Sequence, residues 1–166
     1  MNLFIIRHAD AGDSRQWAGD DSERPLSLLG LQQARALGTA LHDRGIELQA
    51  TVSSPLVRTR QTAEEVLKAW SPPGPLSFSD LLAPGELRKR KLAKQLAQLG
   101  LESVAVVGHD PDLPAFLGWL LGVDPEHVPL KKGGAAAVSF EEEPGKGDGN
   151  LDWLIAPEWY MKESGA

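Results

Sequence analysis

The sequence contains no cysteine, so disulfides, thiolate zinc sites and cysteine nucleophiles are all excluded. It also has no long hydrophobic run. The apolar residues 3–6 near the amino terminus are too few for the hydrophobic region of a secretion signal. The longest apolar stretch, residues 113–123, is interrupted by Pro114, Gly118 and Gly122. We therefore expect a cytoplasmic protein that is not embedded in a membrane.

An excess of positive charge is missing as well. The 17 lysines and arginines are outnumbered by 23 acidic residues, which gives a formal net charge of −6. This balance disfavours sequence-independent binding of nucleic acid and attachment to anionic membranes, because both need a positive field. Any site for an anion must therefore gather positive charge locally. The length of 166 residues fits a single domain covering residues 1–166.

Strand-like apolar runs alternate with segments of helical period, which predicts an α/β fold with a mostly parallel central sheet. The clearest runs are residues 3–6, 51–53 and 104–107, and each is followed by a helical segment. Residues 135–140 and 151–156 are predicted to form two further strands. The polar segment 9–24 is longer than most connections in compact domains, which makes it a candidate functional loop.

Capping residues predict where the helices begin. Ser27 is predicted to be the N-cap of the first helix, and Gly45 is predicted to end it. The Ser-Pro pair at 54–55 and the Asp-Pro pair at 110–111 have the pattern of an N-cap followed by a proline in the first helical position. They predict the starts of the second and fourth helices, and the Pro-Gly pair at 84–85 predicts the start of the third.

Basic and imidazole side chains follow three of the predicted strands. Arg7 and His8 follow the first, Arg58 lies just beyond the second, and His109 follows the strand at 104–107. Parallel strands end at one edge of the sheet, where helix amino termini also present unpaired N–H groups. We expect two guanidinium groups and two imidazoles to converge there, with no carboxylate between them. Such a set suits a tetrahedral oxyanion such as phosphate.

Each of these groups has a role in phosphoryl transfer. Arg7 and Arg58 can donate paired hydrogen bonds to phosphoryl oxygens, a geometry that lysine does not reproduce. A neutral imidazole can attack phosphorus and form a phosphoramidate that water then hydrolyses. We assign the nucleophile to His8 and the contact with a phosphoryl oxygen to His109. The lysines at 131–132 fit either a solvated pair or a role in attracting an anionic substrate.

Four motifs occur in a characteristic order: Arg7-His8-Ala9, Pro25-Leu26-Ser27 with Gly30, Ser54-Pro55-Leu56-Val57-Arg58-Thr59 with Gln61-Thr62-Ala63, and Val107-Gly108-His109. Together they resemble the histidine phosphatase superfamily. The short chain and the segment 108–113 resemble its SixA-type phosphohistidine phosphatases. The resemblance spans roughly residues 3 to 156.

The resemblance implies a three-layer α/β/α sandwich similar to that of phosphoglycerate mutase. It also implies a phosphohistidine intermediate on His8, a phosphate pocket formed by Arg7, Arg58 and His109, and no metal or other cofactor. The implied reaction is removal of phosphate from phosphohistidine on a phosphorelay or phosphocarrier protein. The expected partners are that phosphoprotein and phosphate, with the chain itself as a monomer.

The sequence departs from the family pattern at two places. Ala9 stands where the commonest first motif has glycine, so we expect ordinary backbone geometry there. Larger members supply a proton-donating carboxylate from an inserted region, for which this chain has little room. Glu86 is the nearest positional match and Asp80 a weaker one. A phosphohistidine substrate needs such a donor less, because its leaving imidazole can carry a proton near neutral pH.

Three other functions remain open from the residues. The same site could act on small phosphomonoesters, as a phosphatase or a mutase. A metallohydrolase could use His8 with Asp10, and His109 with Asp110 and Asp112, as ligands, although the nearby guanidinium groups would repel the metal. The third alternative is a phosphate- or phosphoprotein-binding module that has no enzymatic activity.

Overall fold

The computed structural model describes residues 1–162. Strands and helices alternate along most of this length. The strands are β1 (Asn2–Arg7), β2 (Ala50–Ser53), β3 (Leu76–Phe78), β4 (Ser103–Gly108), β5 (Ala135–Ser139) and β6 (Asn150–Ile155), and the α-helices are α1 (Leu28–Asp43), α2 (Val57–Leu67), α3 (Lys89–Ala97) and α4 (Asp112–Leu121).

The six strands form one sheet in the order β3-β2-β4-β1-β5-β6. The first four strands in this order are parallel. Strand β5 pairs antiparallel with β1, and β6 pairs antiparallel with β5. Across residues 1–162, no helix combines the length and apolar character that crossing a membrane requires.

Successive residues of the central strand β1 point to opposite faces of the sheet, and both faces are covered. Leu3 and Ile5 pack in one buried cluster with apolar residues of α3 and α4. Phe4 and Ile6 pack in a second cluster with residues of α1 and α2. Burial on both faces explains why the strand is a continuous apolar run. The predicted three-layer α/β/α sandwich is therefore confirmed.

Both predicted ends of α1 are confirmed. The Oγ of Ser27 accepts a hydrogen bond from the N–H of Gly30 at 3.0 Å, which makes Ser27 the N-cap. Gly45 follows the helix with a φ of 72°, in the left-handed region that glycine occupies without strain.

The predicted start of α2 at Ser54 and Pro55 is wrong. The helix begins at Val57, and its N-cap Leu56 offers no side-chain hydrogen bond. Ser54 instead accepts a hydrogen bond from the N–H of Leu56 at 3.3 Å and lies 2.8 Å from Nε2 of His109. Its side chain is thus bound to a histidine rather than to the first turn of a helix.

The predicted starts of α3 and α4 are also displaced. Gly85 has a φ of 78° and lies in a turn, so α3 begins only at Lys89. The N–H of Gly85 donates to the carboxylate of Asp112 at 2.8 Å, which ties this turn to the beginning of α4. Helix α4 begins at Asp112, after Pro111 as N-cap, and not at Pro111 itself. Strand β3 was not predicted from the sequence.

Candidate active site

The carboxyl ends of three parallel strands meet at one edge of the sheet. Arg7, the last residue of β1, is paired in register with Gly108, the last residue of β4. Ser53, the last residue of β2, is paired with Val107. A cavity of about 570 Å³ opens at this edge and is lined by Arg7, His8, Asp10, Gly12, Asp13, Ser14, Arg24, Arg58, Pro84, His109, Asp110 and Lys132.

The four side chains expected to meet, those of Arg7, His8, Arg58 and His109, all line this cavity. His8 and His109 are only 6% and 3% exposed, and their ring centroids lie 5.4 Å apart. Arg58 is 5% exposed although it carries a formal charge. The structure thus places two imidazoles and the guanidinium groups around one open cavity. Their catalytic roles remain predictions.

One hydrogen bond fixes the tautomer of His8. Its Nδ1 lies 2.8 Å from the carbonyl oxygen of Ala9. A carbonyl oxygen can only accept, so Nδ1 carries the proton. The lone pair of the neutral ring then resides on Nε2, which is the form a nucleophilic imidazole needs.

Burial keeps this imidazole neutral. Desolvation, together with the positive charges of Arg58 and Arg7, lowers the pKa of His8 to about 4 against the opposing effect of the Ala9 hydrogen bond. At neutral pH the Nε2 lone pair of His8 is therefore not occupied by a proton.

Ser54 orients the second imidazole. The Ser54 hydroxyl accepts from the N–H of Leu56 and lies 2.8 Å from Nε2 of His109, so its own proton can be donated to that nitrogen. The ring proton of His109 then belongs on Nδ1, which is buried and has no hydrogen-bond partner among residues 1–162. Desolvation, reinforced by the neighbouring His8 imidazole and by the charges of Arg58 and Arg7, lowers the pKa of His109 to about 3. His109 is thus a neutral donor with an unused N–H.

The two predicted arginines each keep an unused donor as well. Nη1 of Arg7 donates to the carbonyl oxygen of Leu130 at 2.8 Å, and Nη1 of Arg58 donates to that of Asp21 at 2.9 Å. The Nε–H of each arginine is buried without a partner within residues 1–162. Leaving buried donors unsatisfied is costly, and an oxyanion in the cavity would supply the missing acceptors.

The long loop contributes residues that the sequence analysis did not single out. Arg24 is 8% exposed, lines the cavity and donates to the carbonyl oxygen of Ala11 at 2.7 Å. Asp21 accepts from Nε of Arg24 at 3.0 Å and lies 3.1 Å from Nη2 of Arg58. The expectation that no carboxylate would stand between the positive charges is therefore wrong. The length of the loop was the only signal in the sequence.

Thr62 joins the first and the third of the four sequence motifs. Its Oγ1 accepts a hydrogen bond from the N–H of Ala9 at 3.1 Å and donates to the carbonyl oxygen of Arg58 at 2.7 Å. This fully buried hydroxyl therefore fixes the backbone beside His8 relative to helix α2. Within residues 1–162 only glycines have a positive φ, so the expectation of ordinary backbone geometry at Ala9 is confirmed.

Helix α1 packs directly against the loop that follows β1. A Cβ atom placed on Gly30 would lie 1.9 Å from the carbonyl oxygen of Asp10, so only glycine fits there. The Ser27 hydroxyl donates to the Asp10 carboxylate at 2.6 Å. This bond lowers the pKa of Asp10 with help from Gly12 and Lys132, against the effect of burial. Asp10 is consequently held as an anion.

The two carboxylates proposed as proton donors lie outside the cavity. Glu86 and Asp80 line a separate depression together with Leu81, Arg88 and Lys91. Their assignment as donors is not supported, because neither residue lines the cavity that holds His8. Other carboxylates line the cavity, those of Asp10, Asp13 and Asp110.

The lysine pair divides between two environments. Lys132 lines the cavity, with its Nζ 3.8 Å from the carboxylate of Asp10. Lys131 forms an exposed ion pair with Glu158 at 3.0 Å. Among residues 1–162, no group of three or more histidines and carboxylates is arranged to hold a metal ion. The ligand set of the metallohydrolase hypothesis is therefore not assembled.

Comparison with known proteins decides the family. Residues 3–83 match the model of the histidine phosphatase superfamily (branch 1). Over 162 residues the chain is 30% identical to the phosphohistidine phosphatase SixA of Escherichia coli K12, which covers 95% of this chain and 94% of that protein. The chain belongs to the histidine phosphatase superfamily, in its SixA-type branch.

Solved structures agree with this membership. The protein histidine phosphatase SixA complexed with tungstate superposes on this histidine phosphatase with a TM-score of 0.84 at 28% identity, covering 97% of this chain and all of that one. The alpha-ribazole phosphatase of Shigella flexneri shares the fold, with a TM-score of 0.74 at 19% identity over 95% of this chain and 97% of its own. Family and relatives together support a phosphatase.

Proposed function

We propose that this histidine phosphatase removes the phosphoryl group from phosphohistidine on a phosphorelay or phosphocarrier protein. The observation that carries the proposal is the state of His8. Its ring is neutral, its Nδ1 proton is bound to Ala9, and its free Nε2 belongs to a cavity lined by three guanidinium groups. The similarity to SixA supports the same substrate class.

The proposed reaction has two displacement steps. In the first, Nε2 of His8 attacks phosphorus, a new N–P bond forms, and the N–P bond to the substrate imidazole breaks. In the second, water attacks phosphorus, the bond to His8 breaks, and orthophosphate leaves. The unused N–H groups of Arg7, Arg58 and His109 are the donors available to the phosphoryl oxygens in both steps.

The protonation of the leaving group is the reason for the type of substrate that we propose. Asp10 lines the cavity but is held as an anion, and neither Glu86 nor Asp80 lines it. A site with no assigned acid suits a leaving imidazole, which can take up a proton near neutral pH, better than an alkoxide, which cannot. We therefore propose phosphoramidates as the preferred substrates over alkyl phosphates.

The test measures phosphate release from an isolated histidine-phosphorylated phosphotransfer domain. We expect His8→Ala to lower the rate by about a thousandfold or more. His42→Ala is the matched control, because His42 is an exposed histidine in the last turn of α1. Undiminished release by His8→Ala, or no acid-labile phosphate on His8 in the wild-type protein, would refute the proposal.

Two further measurements separate the remaining functions. Phosphate release that continues in the presence of a chelator supports a metal-independent reaction, whereas loss with chelator and recovery with a divalent ion supports the metallohydrolase. Faster hydrolysis of alkyl phosphates than of free phosphohistidine would favour small phosphomonoesters as substrates. A monomer acting in the cytoplasm is part of the same proposal.

A further inference from the structure

A run of positive charge lies beside the catalytic cavity. It comprises Arg88, Lys89, Arg90, Lys91 and Lys94, which we call the α3 basic cluster. All except the half-buried Lys89 are exposed. Within residues 1–162, none of the five forms an ion pair, whereas most of the other lysines and arginines do.

The placement of the cluster does not serve the stability of its helix. Arg88 is the N-cap of α3 and the next three residues are all cationic, with no acidic residue in the first turn. Positive charges are unfavourable at a helix amino terminus because the backbone dipole is itself positive there. Arg90 and Lys94 also stand four residues apart, where like charges repel. Neither packing nor helix stability therefore explains why these five cations are grouped at this place.

The cluster adjoins the catalytic cavity through one short turn. Pro84 lines the cavity, and the next residue, Gly85, donates to Asp112 at the start of α4. Beyond this turn, residues 87–91 and Trp119 of α4 line a shallow groove of about 610 Å³. Trp119 stands seven residues after Asp112, which corresponds to about 10 Å along a helix. The groove is therefore within reach of a protein whose phosphohistidine occupies the cavity.

We propose that the α3 basic cluster is the docking surface for an acidic face of the phosphoprotein substrate. This inference rests on the proposed function. The rest of the chain is strongly acidic, so an acidic partner would be repelled elsewhere and attracted where the cations are unpaired. Leu87 and Trp119 add apolar contact area in the same groove.

Exposed charges of this kind change the rate at which two proteins associate rather than the rate of the chemical step. Charges at the rim of an interface chiefly change the association rate and its dependence on salt. The cluster should therefore influence kcat/KM for a phosphoprotein. It should have no effect on free phosphohistidine, which is too small to contact the groove while its phosphoryl group is beside His8.

The test compares two variants that lose the same charge. Arg90→Gln/Lys91→Gln removes two cations of the cluster. Arg44→Gln/Lys68→Gln is the control, because these residues cap the carboxyl ends of α1 and α2, whose amino termini are at the cavity side. Substrates are free phosphohistidine and two histidine-phosphorylated phosphotransfer domains, one with an acidic surface and one with a basic surface.

We expect the cluster variant to lower kcat/KM for the acidic domain by about tenfold at about 0.05 M salt, with the difference shrinking as salt is added. Hydrolysis of the basic domain should not decrease, hydrolysis of free phosphohistidine should stay at the wild-type rate, and the control variant should match wild type throughout.

Four results would overturn the docking proposal while leaving the proposed function intact. The first three are equal effects of the two variants, an equal effect on the acidic and basic domains, and wild-type kinetics of the cluster variant. A fourth is loss of binding to an RNA oligonucleotide or to phosphatidylserine vesicles with unchanged phosphoprotein kinetics. Failure of the proposed function is different, because the wild-type protein would then hydrolyse neither phosphotransfer domain.

Discussion

Asp21 holds the guanidinium of Arg58 through two contacts, its carbonyl oxygen with Nη1 at 2.9 Å and its carboxylate with Nη2 at 3.1 Å. The same carboxylate accepts from Arg24. Burial alone would raise the pKa of Asp21, but the hydrogen bonds and charges of Arg24 and Arg58 outweigh it and lower that pKa. An anion of the protein therefore shares Arg58, one of the two arginines that we propose for the phosphoryl group.

We expect Asp21→Asn to tighten inhibition by inorganic phosphate about two- to fivefold, because a negative charge leaves the neighbourhood of the anion. Arg58 should keep its position, since the carbonyl contact and its burial remain. The measurement is the inhibition constant of phosphate, with Asp43→Asn at the end of α1 as the control. Weaker inhibition in Asp21→Asn would show that the carboxylate chiefly orients the arginines.

Stability should depend on pH through the two buried histidines. In the unfolded chain each imidazole titrates near 6.5, whereas burial lowers the folded pKa of His8 to about 4 and that of His109 to about 3. The unfolded state therefore binds more protons on acidification, and stability is lost as the pH falls below about 6.5. His8 alone should contribute a loss of about 2 kcal/mol between pH 7 and 5.

Denaturant unfolding of the wild-type protein and of His8→Asn at several pH values checks this expectation. The variant should show a flatter dependence between pH 7 and 5. His42→Asn is the control, because His42 is exposed. Identical pH profiles for wild type and His8→Asn would contradict a buried, neutral His8.

Gly30 should tolerate no side chain. An added Cβ would lie 1.9 Å from the carbonyl oxygen of Asp10, which is backbone and cannot rotate away. We expect Gly30→Ala to lower the free energy of unfolding by about 3 kcal/mol and to reduce activity, because the loop after His8 must shift.

Gly45→Ala separates this steric clash from the general effect of replacing a glycine. A Cβ at Gly45 meets open space, so only its positive φ opposes the substitution, at about 1 kcal/mol. Equal destabilisation by the two variants, measured by denaturant unfolding, would argue against close packing of α1 on the loop.

Thr62→Val should impair both stability and turnover. The substitution keeps the shape of the side chain but leaves the buried N–H of Ala9 without an acceptor, which costs about 1–3 kcal/mol. We expect a lower kcat, because the backbone beside His8 loses its bond to α2. The control is Thr39→Val, whose exposed hydroxyl only donates to a carbonyl within its own helix. An unchanged kcat in Thr62→Val would show that Thr62 does not position His8.

The sequence predicted the features that depend on local pattern. The alternation that places Leu3 and Phe4 on opposite faces, and the Ser27 cap of α1, are encoded within a few residues. Strand β3 escaped notice because it has three residues, two of them exposed, and so shows no buried run. Helix α2 begins later than predicted because Ser54 contacts a histidine 55 positions away, which no local pattern reveals.

The residues of the candidate site also fall into two groups, those that the sequence predicts and those that it does not. The meeting of Arg7, His8, Arg58 and His109 follows from strand ends that a parallel sheet must bring together. Asp21 and Arg24 reach the cavity from an irregular loop whose path depends on tertiary contacts. Their identities could not be read from any periodicity.

Strand β1, which ends at Arg7 and leads directly into His8, has a neighbour on each side, β4 and β5. The carbonyl of His8 also accepts from the N–H of Gly133, just ahead of β5, so the segment before β5 fixes the backbone of the residue that we propose as the nucleophile. Residues from the first and the last third of the chain must therefore both fold into place before this imidazole is correctly oriented. During refolding, phosphatase turnover should therefore recover only when the whole sheet has formed. A protein whose sheet is only partly assembled should show no turnover.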